Sequence, residues 1–229
     1  ELKDIENFIS QTVCLENLII VAGGDFELKE FEKLVKPLLE TLNVGKKAQL
    51  EEVNFISKKE EKVLIKDTQQ AYIYFGSSFN INSKDEENYK AKVASFILGG
   101  SGFGSRLMEE IRVKRGLAYS AYGSISINKS HSYFNGYLQT KNETADEAKK
   151  LVGEIIEDFV KNGVTNDELS AAKNFLTGSE PLRSETLSQR LNRAFTLYYR
   201  GLEPNYSQKE LEKIQNLELT DLNNYIKSH

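Results

Sequence analysis

Leu117-Ala-Tyr-Ser-Ala-Tyr-Gly-Ser-Ile-Ser-Ile127 and Tyr133-Phe-Asn-Gly-Tyr-Leu-Gln-Thr140 are two runs rich in Tyr, Ile and Phe, separated by the turn-like Asn128-Lys-Ser130. Such side chains suit a pleated, half-buried surface, so the pair predicts an antiparallel hairpin. Just beyond it, Ala148, Leu151, Val152, Ile155, Ile156 and Phe159 recur at helical steps and form one apolar stripe, closed by Asn162-Gly163. Thr165-Asn-Asp-Glu168 then has the form of a capping box, with Thr165 accepting from the backbone and Glu168 reaching back. A sheet followed by helices predicts an α+β fold, an antiparallel-rich sheet backed by helices.

Working outward, Ala71-Tyr-Ile-Tyr-Phe75 predicts a further strand, and Tyr89, Val93, Phe96 and Ile97 mark an amphipathic helix that stops at Leu98-Gly-Gly100. A short helix through Leu107, Met108 and Ile111 ends at Gly116, where a left-handed cap is easiest for glycine. Later helices are broken at Gly178-Ser-Glu-Pro181 and Gly201-Leu-Glu-Pro204. At the other end, Leu2, Ile5, Phe8 and Ile9 predict a helix, Leu18-Ile-Ile-Val-Ala22 a short buried strand closed by Gly23-Gly24-Asp25, and Phe31, Leu34, Val35, Leu38 and Leu39 a second helix. From Asn43 to Lys62 the pattern dissolves into a Lys/Glu-rich stretch holding Gly45, which reads as a linker or as a solvated loop with a strand in it. Asp4-Ile-Glu-Asn-Phe-Ile9 is echoed by Asp221-Leu-Asn-Asn-Tyr-Ile226. The echo is either chance between short amphipathic helices or a duplication, in which case the chain holds the tail of one repeat and most of the next.

Composition narrows the function. Among 229 residues, 30 basic side chains face 34 acidic ones, a net charge of -4, as in a soluble globular protein and without the basic excess that nucleic acid demands. The longest wholly apolar run, Leu18 to Ala22, is five residues, against roughly 20 for a bilayer span. Cys14 is the only cysteine, so intrachain disulfides and four-cysteine zinc or redox motifs are excluded and the compartment stays open. No leader follows Glu1, which suggests a mature form or a piece of a longer chain.

The run Gly99-Gly-Ser-Gly-Phe-Gly-Ser-Arg106 invites a phosphate-binding reading but follows a helix and misses the third glycine of the dinucleotide fingerprint. A turn that lets two helices approach closely is the better expectation. The only histidines are His131, expected in an exposed turn, and His229; they cannot make H-x-x-E-H, and no metal site is expected. Cys14 precedes an apolar run and lacks a histidine partner, so it reads as a packed residue. Arg112 and Tyr119 lie on either side of the Gly116 turn and point toward one junction. A guanidinium there suits a peptide carbonyl or carboxylate, and a phenol suits a developing oxyanion. The plainer alternative is a helix-end charge and a core tyrosine, since Tyr119 shares strand parity with Ile125 and Ile127.

Leu98-Gly-Gly100, Ser105-Arg-Leu107 and Arg112-Val-Lys-Arg-Gly-Leu-Ala-Tyr119 resemble the C-terminal, non-zinc half of the insulinase/pitrilysin-type (inverted zincin) zinc metallopeptidases, which include mitochondrial processing peptidase and bacterial processing proteases. Asn17-Leu-Ile-Ile-Val-Ala-Gly-Gly-Asp25 is similar to the family's last N-half strand and turn, and Glu185 to Tyr199 to its late helices. The resemblance implies two related α/β halves closing around a chamber. Residues 1–50 would then be the tail of the preceding repeat, 51–70 a linker or edge segment, and 71–229 the C-terminal substrate-chamber domain. It implies that Arg112 and Tyr119 hold the substrate backbone, with Tyr119 also supporting the oxyanion. Zinc is implied in an N-terminal half or a partner subunit, in a homo- or heterodimer or in the same chain, because H-x-x-E-H is lacking here. This chain alone is then inactive, and its parent a zinc metalloendopeptidase that takes peptide substrates, with β-addition at the strand edge beginning at Ala71 or at the hairpin as one way of holding them. The alternative is a non-catalytic partner subunit or a structural peptide-binding domain of the same family.

Overall fold

The computed structural model describes residues 1–51, 53 and 58–229. In chain order its elements are α1 (Leu2–Thr12), α2 (Leu28–Glu40), β1 (Gln70–Phe79), α3 (Asn88–Ser95), α4 (Arg106–Met108), β2 (Ala118–Ile127), β3 (Ser132–Lys141), α5 (Ala145–Asn162), α6 (Asn166–Gly178), α7 (Leu187–Arg200), α8 (Tyr206–Gln215) and α9 (Leu219–Ser228). They group into two compact units, Glu1–Glu51 with Pro181–Pro204, and Glu52–Glu180 with Asn205–His229.

In the first unit, α1 and α2 follow the expected periodicity, and α2 begins with a reciprocal cap between Glu27 and Glu30. No residue of either helix is buried. The expected strand at Leu18–Ala22 does not form among the described residues. Its backbone is extended at Leu18 (φ -79°, ψ 131°), but no ladder pairs with it and Leu18 and Ile20 stay exposed. A strand is held by a neighbour's N–H and C=O groups, and apolar content alone does not supply them. Residues 43–48 are tied back to the turn after α1: the Leu15 N–H donates to Asn43 O (2.9 Å), the Glu16 N–H to Val44 O (3.1 Å) and the Ala48 N–H to Asn17 Oδ1 (2.7 Å). Cys14 is buried beneath them, as a packed residue should be. Within the Asn43–Lys62 stretch, the described residues form neither helix nor ladder; Glu52 and Asn54-Phe-Ile-Ser57 lie outside the described residues.

The second unit carries the predicted α+β architecture. Its sheet runs β1-β3-β2, antiparallel throughout, with Ile73 opposite Leu138 and Tyr137 opposite both Tyr74 and Tyr122. Along β3, Ser132, Phe134, Gly136, Leu138 and Thr140 face the core, and the alternate residues face away, the period-two alternation of a sheet covered on one side. The core under it is one cluster including Val93, Leu107, Ile111, Leu138, Leu151, Ile155, Ile214 and Leu222. The glycine run closes this core as the close approach of two helices, since Gly99 meets Leu107 of α4, and it also brings the chain against a strand, which the sequence did not indicate. A Cβ on Gly99 would fall 2.6 Å from the Gly123 nitrogen in β2 and 2.8 Å from Leu107 Cδ1. The predicted capping box at Thr165 and Glu168 is present at the start of α6.

Candidate functional site

The Ser105-Arg-Leu107 element is architecture. Ser105 is wholly buried, donates its hydroxyl to Gly102 O (2.8 Å) and caps α4 by accepting from the Met108 N–H (3.4 Å). Arg106 reaches across to the start of α6, donating from Nε to Glu168 Oε1 (2.5 Å) and from Nη2 to Glu168 Oε2 (2.8 Å) and Gly163 O (2.7 Å). Its guanidinium also lies over the Phe159 ring at 5.2 Å. Burial works to raise the Glu168 carboxyl, but the hydrogen bonds from Arg106 and Thr165 outweigh it and hold the group below the usual carboxylate range.

Arg112 sits six residues further on, where the helix widens. The Lys114 N–H reaches back five residues to Glu109 O (3.0 Å), and the Leu117 N–H donates to Ile111 O (2.9 Å). Widened turns of this kind occur frequently at functional sites because they re-aim side chains. Gly116 then takes the left-handed conformation expected of it (φ +63°) and feeds β2. Between Ala118 and Ala121 the pairing with β3 slips, forming a bulge. Both alanines are buried, while Tyr119 between them is 82% exposed. A regular strand would keep Tyr119 on the Ala121 side, so the expectation of a core tyrosine fails at this bulge, which turns the ring outward.

These two irregularities bring together the residues that the sequence singles out. The Arg112 guanidinium carbon lies 4.4 Å from the Tyr119 ring centroid and 4.6 Å from that of Phe103, within cation–π range of both. Phe103 is a third member that the sequence motifs do not mark. Its signal is in the sequence, as the single aromatic inside a run of glycine and serine, but only the fold reveals what it touches. Among the described residues Arg112 has no carboxylate or hydrogen-bond partner. Glu110 in the same turn is already engaged by Lys114 (2.6 Å) and Arg115 (2.6 Å), whose hydrogen bonds hold its carboxyl below the usual range. A cleft of about 660 Å³ lies beside α4 and α5, but its Arg106, Glu168, Lys114, Arg115 and Glu110 are paired with one another, and neither Arg112 nor Tyr119 lines it.

The histidines stand apart from this cluster. His131 is half-buried rather than exposed, its Nδ1 2.8 Å from Ser130 Oγ and its ring stacked on Tyr133, while His229 stacks on Tyr225 at 4.1 Å. Among the described residues no three His, Cys, Asp or Glu side chains are grouped to hold a metal ion, so the donors present do not fit the zinc site of the insulinase type.

The profile of the family described as "Peptidase M16 inactive domain" matches residues 1–176. The chain is 43% identical, over all of its 229 residues, to a Helicobacter pylori protein named "Non-peptidase homolog YmxG", of which it spans 53%. It is 32% identical over 126 residues (55% of this chain) to a Streptomyces coelicolor protein named as an uncharacterized zinc protease, of which the match spans 27%. The chain thus covers about half the length, or less, of these relatives. Among solved structures, the peptidase M16 inactive domain from Pseudomonas fluorescens superposes with a TM-score of 0.81 at 24% identity, covering 100% of this chain and 54% of that one, which establishes the fold.

Proposed function

The chain belongs to the peptidase M16 inactive-domain family, and from that premise we propose that it is the substrate-holding half of a larger zinc metalloendopeptidase, without a metal site of its own. The observation that carries this reading is the Arg112 guanidinium beside the exposed Tyr119 ring, with no carboxylate or hydrogen-bond partner among the described residues. Arg112 binds and orients an extended peptide, and the Tyr119 hydroxyl donates to the oxygen that becomes anionic as the peptide bond is attacked. The attacking group and any zinc belong to a segment or subunit outside these residues, and no step is assigned to this chain through a metal. In this reading residues 1–50 complete a preceding repeat, 51–70 connect, and 71–229 wall the substrate chamber. The outer edge of β1, which has no ladder partner among the described residues, offers an extended peptide main-chain hydrogen bonds.

The test compares the full-length parent protein with this chain alone on a quenched-fluorescent peptide mixture, with and without a chelator. The expected result is chelator-sensitive cleavage by the parent and none by the chain alone. Tyr119→Phe in the parent should lower turnover by about 100- to 1,000-fold, the loss typical of one oxyanion donor, and weaken substrate binding much less. An unchanged turnover number removes Tyr119 from the chemistry. A second reading rests on one observation, the name "Non-peptidase homolog" carried by a relative that matches the whole of this chain. There the chain is part of a non-catalytic partner, and the parent captures peptide but cleaves none.

A further inference from the structure

Phe103 is flanked by Gly102 and Gly104, whose φ angles are +67° and +95°. Nothing lies within 4 Å of a Cβ built on either glycine, so packing does not require glycine there; the backbone course does. That course carries Phe103 away from the core, 69% exposed, and sets its ring beside Arg112. The glycine run therefore has two parts. Gly99 serves the close approach to β2, and Gly102-Phe-Gly104 presents one ring to one guanidinium.

The other arginines of this region are neutralised: Arg106 by Glu168 and Asp158, Arg115 by Glu110. Arg112 alone among these three has rings for neighbours and no carboxylate among the described residues. Cation–π contact uses the charge of the guanidinium and not its N–H hydrogen bonds, which are left to be satisfied from outside. A guanidinium already held by rings loses little freedom when a ligand arrives. Its parallel N–H pair matches the two oxygens of a carboxylate, whereas a neutral carbonyl takes one bond and leaves the charge uncompensated.

We propose that Phe103 is a positioning residue which, with Tyr119, forms an aromatic clamp holding the Arg112 guanidinium for one carboxylate group of a ligand, either a peptide's C-terminal carboxylate or an acidic side chain. The choice of a peptide rests on the function proposed above; the preference for a carboxylate does not.

The test is a fluorescence-anisotropy titration of the full 229-residue chain with a fluorescein-labelled alanine-glycine pentapeptide in three forms: free acid, C-terminal amide, and amide with one internal glutamate. Inorganic phosphate is added as a competitor. The free acid should bind about tenfold or more tightly than the plain amide, the scale of a charge-assisted hydrogen-bonded pair. The glutamate peptide shows whether a side-chain carboxylate serves equally, and phosphate should compete weakly. Arg112→Gln should abolish the preference. Phe103→Leu, which keeps an apolar side chain but no ring, should reduce it by roughly two- to fivefold, and Phe103→Tyr should restore it. The proposal is overturned if neither the free acid nor the glutamate peptide binds more tightly than the plain amide, if no form binds, if phosphate displaces the acid peptide as strongly as unlabelled acid peptide does, or if Phe103→Leu matches wild type. Equal binding of all forms, lost in Arg112→Gln, would remove the carboxylate preference and leave peptide holding intact. A surviving acid preference in a parent that cleaves nothing would uphold the clamp and remove the peptidase reading.

Discussion

Helices α1 and α9 carry the same apolar stripe, Ile5, Phe8 and Ile9 in one and Leu222, Tyr225 and Ile226 in the other, yet the two stripes meet opposite fates. In α9 all three are at most 5% exposed, packed where α3 and α5 come against the helix. In α1 all three are at least 51% exposed. Periodicity makes a helix with an apolar face, but a covering surface is what converts that face into stability. The contrast extends to the units that contain them. Among the described residues of the first unit only Cys14 and Leu197 are buried hydrophobics, whereas the second holds a continuous core from Val93 to Ile226.

The sharpest way to break this comparison is to truncate matched residues. Leu222→Ala should cost about 2–5 kcal/mol, the range for a buried leucine that leaves a cavity, and Ile5→Ala should stay within about 0.5 kcal/mol, both read from urea unfolding midpoints. A loss at Ile5 equal to that at Leu222 would mean that the α1 face is covered in solution. Ion pairs should separate the units next. Arg106→Ala removes hydrogen bonds to a charged partner between elements and should cost about 1.5–3 kcal/mol, while Lys36→Ala, which removes an exposed pair at 3.8 Å within α2, should cost under about 0.5 kcal/mol.

The Arg106 pair also has a pH signature. The Glu168 carboxyl is lowered in the folded state from an ordinary 4.5, so its contribution is fully present above that pH and is lost as pH falls through the lower folded value. Wild type should therefore lose more stability than Arg106→Ala between pH 5 and pH 3, measured by thermal unfolding; parallel pH profiles would show that the pair contributes nothing. The smallest separation expected is at glycine. Gly99→Ala sets a methyl group against the backbone of Gly123 and should cost about 1–3 kcal/mol. Gly23→Ala meets only the ends of the Leu187 and Leu191 side chains, at 3.2 and 3.0 Å, which can swing aside, and should cost under about 1 kcal/mol. Equal costs would show the two units to be packed with similar tightness.

Much of this molecule is legible in residue order. The hairpin, the Ala148-to-Phe159 stripe, the Thr165 cap and the Gly116 stop all follow from local chemistry, and each is present. The strand expected at Leu18–Ala22 is absent among the described residues because pairing needs an edge that the segment itself does not contain. The junction of Arg112 with Tyr119 was legible from their places on either side of one turn. Its geometry was not, because the widened turn at Glu109–Val113 and the bulge at Ala118 carry no residue signature and arise from fitting the helix and β2 to one core. The role of Phe103 is not legible for a related reason, since its partner lies in another element and the loop's positive φ angles bring the two together.

By itself the sequence determined the hairpin and most of the helices, which of their faces are apolar, that two histidines and one cysteine cannot assemble the zinc motif, and, through the Arg112-to-Tyr119 stretch, the family. Those properties depend on neighbours a few residues apart, which the chain order records directly. Only the tertiary structure decided which apolar faces are covered, which arginine stays without a carboxylate among the described residues, and that Tyr119 turns outward to meet it. Each of those outcomes depends on contacts between elements, where burial and register are set by what arrives from elsewhere in the chain.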